Sequence, residues 1–159
     1  MSDSAPATTR PDGLWAEDLH IGQTFRSEEA EITAEAIVEF ASRYDPQPFH
    51  VDSVAAVGTF FDQLVASGWH TAAVTMRLLV EAFPVATGIV GAGGEIGWPS
   101  ATVPGDRLHV EAVIDDIVWS TSRPDRATLV VSHRTVNQSG EIRQRSTARL
   151  IAWRRPAGG

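Results

Sequence analysis

Apolar residues first fall into register just after Thr33. Ile37, Phe40, Ala41 and Tyr44 recur at the three- and four-residue spacing of an amphipathic helix. Thr33 is placed to cap it, and Glu35 lies in the first turn, where the helix dipole favours an anion. The stripe stops at Asp45-Pro46, since proline drives the residue before it out of the helical region. A short helix is expected around residues 53–58. The next strong element is WHTAAVTMRLLVEAF, from Trp69 to Phe83, which ends at Pro84. It is apolar most of the way round, the pattern of a buried helix. Its long polar residues His70, Arg77 and Glu81 share one narrow face, expected to meet solvent or a partner.

From residue 92 the pattern changes period. Leu108, Val110, Ala112 and Ile114 alternate with His109 and Glu111, which predicts a half-buried strand. SRPDR (122–126) is expected to be a loop, followed by the strand ATLVVSHRTV. NQSG (137–140) then turns into a last strand that reaches about Arg154. His109 and His133 are expected on solvent-facing strand positions, and His20 in a polar approach to the first strand. Helices followed by an antiparallel meander predict an α+β fold, with the sheet wrapped around the long helix.

Composition narrows the functional classes. At 159 residues, 43% hydrophobic and 21% charged, the chain fits one ordinary globular domain. Residues 1–13, small, polar and Pro-containing, are expected to form a disordered tail; 14–154 the domain; and 155–159 a frayed end. With no cysteine there are no disulfides, thiolate metal sites or thiol nucleophile. No run approaches a membrane span, and the start lacks the apolar core of a signal peptide, so a cytoplasmic location is the default expectation. A formal charge of −7 argues against a nucleic-acid partner, and any polyanionic ligand needs a local basic patch.

The stretch YDPQPFHVD, residues 44–52, holds the candidate chemistry. Pro46 and Pro48 stiffen it, so the expectation is a loop rather than a helix or a central strand. It carries Asp45 and His50, a carboxylate and an imidazole that together can grip a water and exchange its protons near neutral pH. Proline stiffening limits the entropy lost in holding such a pair. Ser67-Gly68 heads the long helix, whose free N–H groups and positive dipole end can stabilise an oxyanion; Gly68 lets a carbonyl approach closely. A structural Asx-type turn is the alternative.

Other chemistries lack their residues. Around Ser67 the glycines of G-x-S-x-G are replaced by Val65 and Trp69. GAGG, expected to be a flexible strand entry, has Ile96 where G-x-G-x-x-G needs its last glycine. His50-x-Asp52 with His109 or His133 would suit a facial iron triad, but it follows a Pro-rich stretch between helical patterns, so no metal is expected.

D-P-Q-P-F-H, with Ala56 beyond the histidine, is similar to the D-x-N-P-x-H signature of MaoC-like dehydratases, the (R)-specific enoyl-CoA hydratases, matching at Asp45, Pro48 and His50. The G-W-H-T-A-A-V-T-M-R-L-L helix, P-G-D at 104–106 and the S-R-P-D-R loop also resemble that family, over roughly Leu14 to Trp153. The chain departs from the pattern at Tyr44, Gln47, Ser67 and Ala101, where the family commonly has glycine, asparagine, histidine and proline. The resemblance implies a hotdog fold and a homodimer with its site near the subunit interface. It also implies addition of water to a trans-2-enoyl thioester. In that reading Asp45 acts as base, His50 orients the water and handles the second proton, and Gly68 N–H holds the enolate oxygen. Gln47, Pro48 and Ser67 would border the substrate. Arg123 and Arg126, or else Arg143 and Arg145 on one face of the last strand, would meet the CoA phosphates. CoA enters as part of the substrate, with no separate cofactor. The rivals are a hotdog thioesterase and a non-catalytic acyl-thioester-binding subunit.

Overall fold

The computed structural model describes residues 10–157. Their elements in chain order are β1 (Thr24–Arg26), β2 (Ala30–Glu31), α1 (Ala34–Tyr44), α2 (Pro48–Val51), α3 (Gly68–Ala82), β3 (Val90–Gly97), β4 (Arg107–Trp119), β5 (Arg126–Val136) and β6 (Ile142–Trp153). The strands form one antiparallel sheet in the order β1-β4-β5-β6-β3, with β2 paired to β4. It curls around α3, the hotdog arrangement of an α+β fold. The alternation read in β4 is real: Leu108, Val110, Ala112 and Ile114 are buried and meet Leu78, Leu79 and Phe83 from the helical side, with Leu129, Val131 and Leu150 completing the core. Each such side chain contributes about 1.5–3 kcal/mol on full burial.

Thr33 caps α1 through a hydrogen bond from Ala36 N–H, and Ser67 caps α3 through one from Trp69 N–H. Only part of α3 faces the core. His70, Thr71, Thr75, Leu78 and Leu79 are buried, whereas Trp69, Met76 and Val80 are 60%, 48% and 40% exposed. The expected all-round burial is therefore corrected to one buried face and one bare apolar stripe. His70 is buried rather than solvent-facing, because the Phe40 ring of α1 stacks on it at 4.8 Å. Burial pushes its pKa down. Its companions on that narrow face, Arg77 and Glu81, are exposed as expected.

Two other expectations change. The segment after Asp45 is not all loop: Pro48 starts the single helical turn α2, where a fixed φ suits the helix and the missing N–H is no loss. No helix forms at 53–58; Asp52 Oδ1 instead accepts the N–H groups of Val54 and Ala55 and sets up a run of turns. GAGG lies inside β3 at a bulge, not at its entry. Gly93 takes φ +111°, and a Cβ on Gly94 would stand 2.3 Å from the Thr147 carbonyl oxygen.

The chain ends are tied down further than expected. Residues 1–9 of the anticipated tail lie outside the described residues, but Arg10 N–H donates to Ala86 O and Leu14 bridges to Val85. At the other end Arg155 pairs with Asp18 at 3.0 Å, so the fraying expected from 155 does not begin there; residues 158–159 are outside the described residues. No helix among the described residues is long and apolar enough to cross a membrane.

Candidate active site

Asp45 and His50 come together at the junction of three helix ends. Asp45 is the residue at which α1 stops, its N–H still bonded to Ala41 O. The α2 turn then brings His50 back toward it, so His50 Nε2 lies 3.4 Å from Asp45 Oδ2. His50 is buried, and its Nδ1 lies 2.7 Å from the carbonyl oxygen of Val65. A carbonyl only accepts, so Nδ1 carries the proton and neutral His50 presents a bare Nε2 to the space beside Asp45. Phe49 and Phe61 pack around the imidazole, with ring centroids 4.6 and 6.4 Å from it.

The carboxylate is gripped on both oxygens. Ser67 Oγ–H donates to Oδ2 at 2.7 Å and Gln47 Nε2 donates to Oδ1 at 2.8 Å. Burial pushes the Asp45 pKa up, but the hydrogen bonds from Ser67 and Gln47 outweigh it and hold the carboxyl below its ordinary value. Asp45 is thus a carboxylate throughout the neutral range. Ser67 itself is fully buried with its hydroxyl committed to Asp45, so it stands behind the carboxylate instead of bordering a ligand. Ser67→Ala is expected to raise the Asp45 pKa and, through loss of the cap, to cost about 0.5–2 kcal/mol of stability. NMR titration of the Asp45 carboxyl checks this; an unchanged midpoint would show that Ser67 does not hold it.

Next to the pair, Gly68 opens α3. Among the described residues its N–H donates to neither a backbone nor a side-chain acceptor, while those of Trp69, His70 and Thr71 are spent on Ser67. A cavity of about 420 Å³ joins these groups, lined by Asp45, Gln47, His50, Gly68, Trp98 and Thr102 among others. It therefore holds a base, an imidazole and a free N–H donor at one wall, the set needed to activate water and stabilise an oxyanion. A larger cavity, about 1060 Å³, lies on the sheet face away from α3, between Arg26, Glu111, Arg134 and Arg145. It contains none of these groups.

The chain matches the MaoC like domain family over residues 17–136, well over half its length. It belongs to the MaoC-like family. The crystal structure of the MaoC-like dehydratase from Rhodospirillum rubrum is 53% identical with a TM-score of 0.89, covering 91% of this chain and 99% of that one. R-Hydratase PhaJ1 from Pseudomonas aeruginosa is 22% identical with a TM-score of 0.74, covering 90% and 88%, a likeness of fold alone. An uncharacterized protein of Bacillus subtilis, YdeM, is 34% identical over 65 residues, 41% of this chain and 46% of YdeM, so the matched stretch spans less than half of that relative.

Not every residue singled out from the MaoC-like pattern reaches the cavity. Pro48 does not line it and serves as the first residue of α2. Arg126 pairs with Asp125 at 2.9 Å and lies 5.3 Å over the Trp153 ring, at the far end of β6. The cavity end of β6 is marked by Gln144, nine residues earlier, which places Arg126 and the adjoining Arg123 loop about 30 Å away at the rise of a strand. Arg143 and Arg145 do not share a face. A register shift between Thr135 and Val136 turns Arg143 inward onto Asp106, at 2.8 Å, while Arg145 stays exposed on the outer surface. His109 is buried with Nε2 3.2 Å from Glu111, and the His133 ring is largely buried, which pushes its pKa down, so both leave the expected solvent face. The cavity residues the sequence did not single out include Phe49, Phe61, Thr71, Trp98, Ser100 and Thr102. Trp98 gives no signal of its own, being one more apolar residue at a strand end.

Proposed function

We propose that the chain adds water to the double bond of a trans-2-enoyl-CoA, giving the (R)-3-hydroxyacyl-CoA, or runs the same reaction in reverse. The observation that carries this is the Asp45–His50 pair, 3.4 Å apart, in one cavity with the unpaired Gly68 N–H. A water held between Asp45 Oδ2 and His50 Nε2 donates one hydrogen to each. Its oxygen bonds to C3 as Asp45 takes a proton. The double-bond electrons move onto the thioester oxygen, where Gly68 N–H meets the developing charge. His50 Nε2 orients the water by accepting its second hydrogen, which stays on the oxygen as the 3-hydroxyl. Asp45 returns the proton it took to C2, so H and OH are added with no net proton left on the protein. CoA takes part only as the carrier of the acyl group.

The active species we propose is a homodimer. β3 is an edge strand, and the exposed stripe of Trp69, Met76 and Val80 on α3, with Ile96 on β3, is an apolar surface that a second copy would cover. Membership in the MaoC-like family and the 53% identity to a MaoC-like dehydratase support the hydration reading over its rivals.

The test is to mix the pure protein with crotonyl-CoA while following both the enoyl-thioester absorbance and free thiol. Absorbance lost without thiol is the expected result. Thiol release would move the protein to the thioesterases, and silence on both channels, with acyl-CoA bound, to a binding subunit.

A further inference from the structure

Trp98, the residue after β3, lies against the backbone of Gly68. A Cβ built on Gly68 would stand 2.7 Å from Trp98 Cδ2 and 2.8 Å from Cε2, closer than any side chain tolerates. Glycine at 68 therefore does more than free an N–H: it lets an indole close over the start of α3. The ring is held in that place. Its Nε1–H donates to Gln144 Oε1 at 3.0 Å, and Gln144, only 2% exposed, donates in turn to Ser146. Trp69 meets the ring edge to face at 5.3 Å. Swinging the indole aside would leave a buried amide oxygen unsatisfied. The cavity that Trp98 borders is about 420 Å³, near the small end of the roughly 300–1,000 Å³ range of ligand sites.

We infer that Trp98 sets the length of the acyl group: a chain whose thioester oxygen rests on Gly68 N–H runs up against the indole, so short acyl groups fit and long ones do not. This rests on the hydratase reading for its chemistry but not for its geometry, and the two can be tested apart. Turnover of crotonyl-CoA and trans-2-octenoyl-CoA is compared for wild type, Trp98→Ala and Trp98→Phe. Binding of the saturated butyryl-CoA and octanoyl-CoA is measured by calorimetry on the same proteins, and thermal melts check folding. If the alanine variant does not fold, Trp98→Leu takes its place.

The wild type is expected to favour the four-carbon chain. Trp98→Ala should shift the kcat/KM ratio toward the eight-carbon substrate by about 10-fold or more, the scale set by a few methylenes in an apolar pocket. Trp98→Phe, which keeps a ring in place, should retain the short-chain preference, and the binding ratios should follow the same order. An unchanged ratio in Trp98→Ala, equal losses on both chains, or a wild type that prefers octanoyl-CoA would each overturn the inference. Selective binding without hydration would support it while sinking the hydratase reading; hydration without a change of ratio would do the reverse.

Discussion

Asp45→Asn is expected to lower crotonyl-CoA hydration by at least ~10²-fold, the scale of a lost general base. The amide has nearly the shape of the carboxylate, so the α1 end, the α2 turn and the His50–Val65 hydrogen bond keep their places. What disappears is the carboxylate that the proposed reaction uses as its base. Ser67 and Gln47 both donate to Asp45, and a neutral amide there offers only one accepting atom, so one of the two loses its partner. Substrate binding through Gly68 N–H should survive, so KM should change far less than kcat. A thermal melt near wild type, with activity gone, is the expected pair of results. Activity near wild type would remove Asp45 from the mechanism.

The second large effect is on stability. Arg143→Met is expected to cost about 3–5 kcal/mol, the scale for breaking one side of a buried ion pair. In a domain of this size that lowers Tm by roughly 10 °C. Arg143 grips both oxygens of Asp106, at 2.8 and 3.2 Å, and both side chains are almost wholly buried. Without the guanidinium, Asp106 keeps only Val103 N–H and Asn137 as donors for a full buried charge. Adding Asp106→Asn to Arg143→Met should recover part of the loss, which an additive pair would contradict. The pH dependence has a definite sign. Burial pushes the Asp106 pKa up, but Arg143, Val103 and Asn137 outweigh it and hold the pKa below 3.8. The stability this carboxylate contributes is therefore complete above about pH 4 and is lost as the pH falls through its folded pKa. In Arg143→Met the carboxylate loses its main partner and burial pushes its pKa up. That acid-side loss should then shrink or reverse, because protonation relieves a buried charge, as denaturant melts across pH 3–6 would show.

The elements with a strong period were legible: the cap at Thr33, the alternation in β4, and a long helix held by a curled sheet. So was the Asp45/His50 pair, because prolines and a short spacing are local facts. What could not be read was decided by contacts distant in sequence. Phe40 buries His70, although nothing near His70 signals a lid. An apolar α3 surface looks the same in sequence whether it faces a core or lies bare, and Trp69, Met76 and Val80 lie bare. One bulge reverses a strand's two faces from that point on, which is why Arg143 and Arg145 part company. The α2 turn was missed for a local reason: proline forbids a helix interior but suits its first residue, and Pro48 takes that position.

The run of turns from Asp52 to Leu64 leaves the fold and returns to it at one clasp, where Val65 N–H bonds Phe49 O and Val65 O meets His50 Nδ1. Asp45 is fastened below that clasp to the end of α1 and the start of α3, and His50, on the α2 turn, is held by the clasp itself. Above it, Val54, Val57 and Phe60 are 80%, 68% and 91% exposed, and Phe61 reaches down to the cavity. Only the outer part of the excursion is thus separate from the Asp45/His50 pair, since Phe61 packs 6.4 Å from the His50 ring. Exchange of the outer positions Val54, Val57 and Phe60 should leave Asp45 and His50 in place. Phe61 and Leu64 have to be kept for the His50 ring and the core, which confines grafting to the outer turns.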